Sequence, residues 1–187
     1  MRHFILALLT CAAIAACGSP LGLPGAGTNV VDTVSLWALS GTPVSRPSGF
    51  SIAARSAVRT DLGVQFDFAF DIDTAGRALL LPTGALKLGQ QSGLQISTLA
   101  FDSIRIAPTT GYQLDSAVVV HDSSVVIAYS NLSSCSTTLG VAYRYYAKLH
   151  VLAIDTTSHT NGRSIKFEIL TDRSCGYRGL EPGVPRQ

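Results

Sequence analysis

The chain has 187 residues, 47% of them hydrophobic and 14% charged, with a formal net charge of +2. A charged fraction well below the usual ~25% and no basic stripe leave no electrostatic ground for nucleic-acid binding, and the hydrophobic content excludes a disordered chain. Polar surface must come largely from Ser and Thr, which favour turns and strand faces over helix interiors.

The first element is a leader. Arg2 and His3 precede an uncharged run from Phe4 to Ala16, long enough for a signal-peptide core and too short for the roughly 20 residues that span a bilayer. The run ends Ile14-Ala15-Ala16-Cys17. These residues match a lipobox of aliphatic, small, small, cysteine, and in this the N-terminus resembles the bacterial lipoprotein class. The resemblance implies cleavage after residue 16, a diacylglyceryl thioether on Cys17 and anchorage by lipid. Gly18 in place of aspartate after the cysteine implies the outer membrane, where the cell has one. The chemistry suits the residue, because a thiol is the side chain here that alkylates readily near neutral pH, and two or three acyl chains hold a protein stably where one does not.

Residues 17–28, Cys17 followed by a stretch rich in Gly and Pro, read as an extended tether. Its eleven residues after the cysteine span at most about 35–40 Å. Residues 29–187 then suit one domain. Loss of the leader removes Arg2 and leaves 13 basic against 12 acidic side chains, a net charge of +1.

Period-two alternation dominates this domain. It is strongest in Val64 to Ile72, where Val64, Phe66, Phe68, Phe70 and Ile72 point one way and Gln65, Asp67, Ala69 and Asp71 the other. Asp61 to Gly63 and Asp73 to Gly76 are the bounding turns. Further strands are expected at Asn29 to Leu39, Gly49 to Arg59, Arg77 to Leu81, Val118 to His121, Val125 to Ser130, Val141 to Ile154 and Ser164 to Thr171. The phase changes within Leu94 to Ile106 predict a bulge or corner. Asp122-Ser123-Ser124 and the loop holding Asn161-Gly162 read as hairpins between neighbouring antiparallel strands. Glu181 to Pro185 read as a short, extended, poorly ordered tail. Together these elements predict an all-β fold, an antiparallel β-sandwich, with a closed or half-closed β-barrel as the alternative.

Of the four cysteines, Cys11 leaves with the leader and Cys17 takes lipid, so Cys135 and Cys175 are expected to form a disulfide in an oxidising compartment. Closing a loop of about 40 residues would stabilise the fold by near 4 kcal/mol in the chain-entropy account. Neither cysteine has a CxxC partner or a nearby histidine that would suggest a metal site.

Catalytic signatures are missing: no GxSxG elbow, no HExxH, no phosphate-binding loop and no dinucleotide fingerprint, so no catalytic residue and no cofactor is expected. Three groups invite a binding role. Asp67, Asp71 and Asp73 share one strand parity and offer hard oxygen ligands to calcium, although alternate residues nearly 7 Å apart need a bend to share one ion, and a solvated face is the plainer reading. Arg144, Tyr146, Lys148 and His150 place an aromatic amid cations, fit to meet a glycan, a headgroup or a protein, or else simply to cover the sheet. Trp37, the only tryptophan, lies on a strand apolar on both faces, either central or lining a cavity. The expectation is a lipid-anchored, non-catalytic envelope protein that presents a sandwich to an envelope protein, glycan or lipid. The alternative is a carrier of a lipid or other apolar ligand inside a barrel or sandwich cavity, supported by strands such as Ala78 to Leu81 and Val118 to Val120.

Overall fold

The computed structural model describes residues 27–89, 91–132, 135–136, 142–157 and 162–184, with the backbone alone at 135, 136 and 142. The leader, Cys17 and most of the tether lie outside these residues, as do Val141, His159 and Asn161. Among the described residues no helix is long and apolar enough to cross a membrane.

The fold is an antiparallel sandwich of two five-stranded sheets that do not close into a barrel. The first sheet runs β1 (Val31–Trp37), β12 (Ser164–Thr171), β11 (Tyr146–Asp155), β8 (Val125–Tyr129), β6 (Gly93–Ser97). The second runs β3 (Ser56–Val58), β2 (Gly49–Ser51), β4 (Phe68–Ile72), β5 (Ala78–Pro82), β7 (Val118–Val120). A two-stranded ribbon pairs β9 (Cys135–Ser136) with β10 (Ala142–Tyr143).

Of the predicted strand Val64 to Ile72, only Phe68 to Ile72 is paired, and there Phe68, Phe70 and Ile72 enter the inter-sheet core as the alternation predicts, while Val64 and Phe66 do not and Asp67 and Ala69 are buried as well. Phe68 and Phe70 are fully buried, and the rings of Phe50, Phe68 and Phe167 join the two sheets at centroid distances of 5.4, 6.1 and 6.2 Å. Each such ring stabilises the fold by about 1.5–3 kcal/mol through burial alone. Leu36, Leu80, Leu94, Val126, Leu149, Ile165 and Ile169 fill the space around them.

Several boundaries differ from the sequence reading. Gly49 to Arg59 is two strands, because residues 52–55 turn back through Arg55 at φ 54°. Val141 to Ile154 is broken at Arg144 and Tyr145, and Leu152 is the extra residue of a bulge between Val151 and Ala153. The Asp122 to Ser124 turn joins β7 in one sheet to β8 in the other, so these strands are not neighbours. Its Ser123 N–H donates to Val151 O and its Ser124 O accepts from Val151 N–H, which holds the crossing against β11. The corner expected after β6 is a short 3-10 turn at Phe101–Ser103.

The C-terminal segment is not a loose tail through residue 183. Asn29 and Gly183 exchange both backbone hydrogen bonds, and Asn29 Nδ2 donates to Gly179 O and Glu181 O. One asparagine at the start of the domain thus ties down its end.

Candidate functional site

The cationic strand face turns out to be an interior. Residues 98–116 and 173–184 cross the outer side of β8, β11 and β12 and close a second core of Phe101, Ile104, Ala107, Val125, Ile127, Leu170 and Leu180, with Tyr112 and Tyr146 packed against it. Lys148, expected at the surface, is 1% exposed at the centre of this layer. Its Nζ donates to Phe101 O at 2.7 Å and Ile104 O at 3.0 Å and lies 4.5 Å from the Phe101 ring centroid. Burial pushes its pKa down, and the nearby carboxylates of Asp102, Glu181 and Glu168 oppose that shift. The ammonium satisfies carbonyls of a loop that has no strand partner to do so, which is a structural task.

The other members of that face are engaged as well. His150 Nδ1 meets Glu168 Oε1 at 2.7 Å across the β11–β12 pair. Arg144 lies outside the strand, with its guanidinium 4.2 Å from the Tyr129 ring centroid and Nη1 donating to Gln91 O and Ser130 O. Tyr129 contacts Tyr112 at 4.4 Å and Tyr146 at 6.1 Å between centroids. Arg144, Tyr146, Lys148 and His150 therefore line one layer without forming an open binding surface.

The three aspartates are not brought together. Asp67 is 2% exposed and lies at the end of the sandwich, where its carboxylate accepts from Ile52 N–H at 2.7 Å and Asn131 N–H at 3.2 Å while Ser92 Oγ donates to its backbone oxygen. Burial pushes its pKa up against the pull of those two hydrogen bonds. It precedes the first paired residue of β4, so the alternation that predicts it outward stops short of it. Asp71 binds Ser40 through N–H and hydroxyl, both at 2.9 Å. Asp73 organises the β4–β5 turn, accepting from the N–H groups of Ala75 and Arg77 and pairing with the Arg77 side chain at 2.7 Å, contacts that hold its pKa low. Among the described residues no three His, Cys, Asp or Glu side chains gather as metal ligands would, so the calcium expectation fails on geometry.

Trp37 is half-buried on the outer side of β1, with the Arg46 guanidinium 4.8 Å from its ring centroid. It does not join the inter-sheet core.

What sequence reading missed is a surface cleft of about 430 Å³ at one edge of the sandwich, lined by Leu39, Val64, Phe66, Leu86 and Leu88 among others. Val64 and Leu88 are 46% and 52% exposed beside it. The signal was present in Val64, which shares the parity of the buried phenylalanines yet falls before the paired strand begins.

Compared with protein-family models, with curated proteins and with solved structures, the chain matches none.

Proposed function

We propose that the chain is an exported protein held at the cell envelope by lipid on Cys17, most simply at the outer membrane, and that its sandwich is a non-catalytic module for binding or structural interaction with an envelope protein, glycan or lipid. The observation that carries this reading is the order of Ile14-Ala15-Ala16-Cys17 after an apolar run and before a Gly- and Pro-rich segment. The fold supports it by taking hold at Asn29, where that segment ends.

The disulfide between Cys135 and Cys175 belongs to the same reading. Cys135 stands opposite Tyr143 in the β9–β10 ribbon, and the turn after Cys175 meets the chain just beyond that ribbon through Gly176 N–H to Arg144 O at 3.2 Å. On this reading Cys175 bonds to Cys135, the cysteine that remains once Cys11 and Cys17 are accounted for.

The carrier reading keeps one foothold, the apolar cleft beside Val64 and Leu88. The inter-sheet space is filled by Phe50, Phe68 and Phe167, which favours the exposed cleft over the interior for any apolar ligand.

The test is expression of the full chain in a bacterium fed labelled palmitate. The reading predicts label on the wild-type chain in the membrane fraction, none on Cys17→Ser, and an intact mass two hydrogens below the fully reduced chain. An unlabelled wild-type chain in the soluble fraction would overturn it.

A further inference from the structure

In the outer layer, residues 105–107 run against residues 178–180, through Ala107 N–H to Arg178 O, Leu180 N–H to Arg105 O and the bridge between Ile106 and Gly179. Ala107 and Leu180 enter the second core, whereas Ile106 stays outside it. Beside Ile106 a surface cleft of about 340 Å³ is lined by Ile96, Leu99, Arg105 and Ile106, with the buried Ile104 and Ile127 also in its wall. Ile96, Leu99 and Ile106 are 45%, 57% and 55% exposed. Scattered singly such side chains need no partner, but gathered round one cleft they mark a contact surface. Among the described residues of the lining Arg105 alone is charged and none is aromatic. The Arg105 side chain is 76% exposed, and its ion pair, Nε to Glu181 Oε1, is a loose one at 3.4 Å.

We propose that this corner of the outer layer is a membrane seat, where Ile96, Leu99 and Ile106 enter the interfacial region of a phospholipid bilayer and the Arg105 guanidinium meets lipid phosphate. Chemistry and position both select that occupant. Interfacial binding grows with buried apolar area and with attraction of cations to lipid phosphate, and this cleft offers aliphatic side chains beside one exposed guanidinium. A protein partner would instead be met by a surface enriched in aromatic residues, which the lining lacks. The cleft also lies beside the place where the chain enters the domain. Asn29 Nδ2 donates to Gly179 O, and Gly179 bridges Ile106, so one side-chain hydrogen bond and one strand spacing of about 4.8 Å separate the end of the tether from the rim of the cleft. Val30 and Val184, on either side of the bridge between Asn29 and Gly183, are exposed at the same end. A tether of about 35–40 Å at most presents this corner to the surface that holds Cys17. Such linkage gives an effective concentration in the mM range, so a patch too small to hold a free protein suffices for a tethered one. That last step rests on the membrane-anchor reading.

The test is quenching of tryptophan emission by vesicles of phosphatidylethanolamine and phosphatidylglycerol with brominated acyl chains. The full chain is reconstituted into them if recovered in membranes and mixed with them if recovered soluble, and palmitate labelling of the same sample reports anchorage separately. Leu99→Trp in a Trp37→Phe chain is expected to lose emission and shift to the blue. Val119→Trp in the same background is expected to keep both, because Val118 and Val120 face the inter-sheet core and Val119 is exposed on the opposite side of the sandwich. Ile96→Ser combined with Ile106→Ser is expected to abolish the quenching at Leu99→Trp, and Arg105→Gln to weaken it. Thermal melts should stay cooperative throughout, since these side chains are exposed. Quenching at Leu99→Trp in a chain without lipid label would uphold the seat and remove the anchor. No quenching at Leu99→Trp, with or without lipid label, or equal quenching at Val119→Trp, would overturn the proposal.

Discussion

Both faces of the β8, β11 and β12 ladder are interior, and they are closed by different means. The inner face meets a second sheet, whose backbone is satisfied by its own ladder, so apolar rings suffice. The outer face meets irregular chain, whose carbonyls have no ladder, and there Lys148 supplies donors to Phe101 O and Ile104 O from inside the layer. The contrast teaches that a charged residue at strand period can mark a second core as well as a solvent face, depending on what crosses above it.

Substitutions on the two faces should separate these modes of closure. The largest loss is expected from Phe68→Ala on the inner face, about 3–5 kcal/mol as a cavity opens between the sheets, measured by urea unfolding, with faster hydrogen exchange across both sheets. A loss under about 1 kcal/mol would deny that the aromatic cluster joins the sheets.

The next effect is a pH dependence at the end of the outer layer. Asp172 is 1% exposed, its Oδ1 accepts from Ser174 N–H, its Oδ2 meets no protein donor among the described residues, and burial raises its pKa from 3.8 to about 7. The folded state therefore keeps a proton that the unfolded chain releases at lower pH. Stability from this group is complete below the unfolded pKa and is lost as pH rises through about 7, a fall on the order of 3 kcal/mol. Burial raises the Asp67 pKa too, so its contribution has the same sign. Asp172→Asn should remove the larger part of the difference between unfolding near pH 5 and near pH 8; an unchanged difference would place the titration elsewhere.

Lys148→Ala is expected to cost about 2 kcal/mol by stranding Ile104 O and leaving Phe101 O with only the Ile104 N–H. Its signature is locality: amides of residues 99–108 should exchange faster while those of β4 and β5 hold. Arg46→Ala, which removes the cation over Trp37, should cost only about 0.5–1 kcal/mol, seen as a small shift in the urea midpoint and a change in Trp37 fluorescence.

The same contrast sets how far the sequence is legible. The inner core was readable because Phe68, Phe70 and Ile72 on one sheet and Ala147, Leu149 and Val151 on the other each keep one parity against the sheet they face. Lys148 was not, since the covering chain from 98 to 116 has no periodicity that declares where it lies. A signal was available in β8, where Val125 and Ile127 are as apolar as Val126 and Ala128, a strand with no polar face to show to water. The aspartates misled for a related reason: Asp67 follows the parity of Asp71, but only a paired strand enforces parity, and Asp67 sits one residue outside the pairing. The surface cleft depends on where β4 begins, which local propensity sets only loosely.

The account turns on whether the outer face of the sheet is buried, and the chain carries only three lysines with which to ask. Lys87 and Lys166 are exposed and Lys148 is not. Timed labelling with an amine-specific reagent, read by peptide mass, should modify Lys87 and Lys166 early and Lys148 only as the protein unfolds. Labelling of Lys148 at the rate of the other two would show that the outer layer is open and that the second core does not exist.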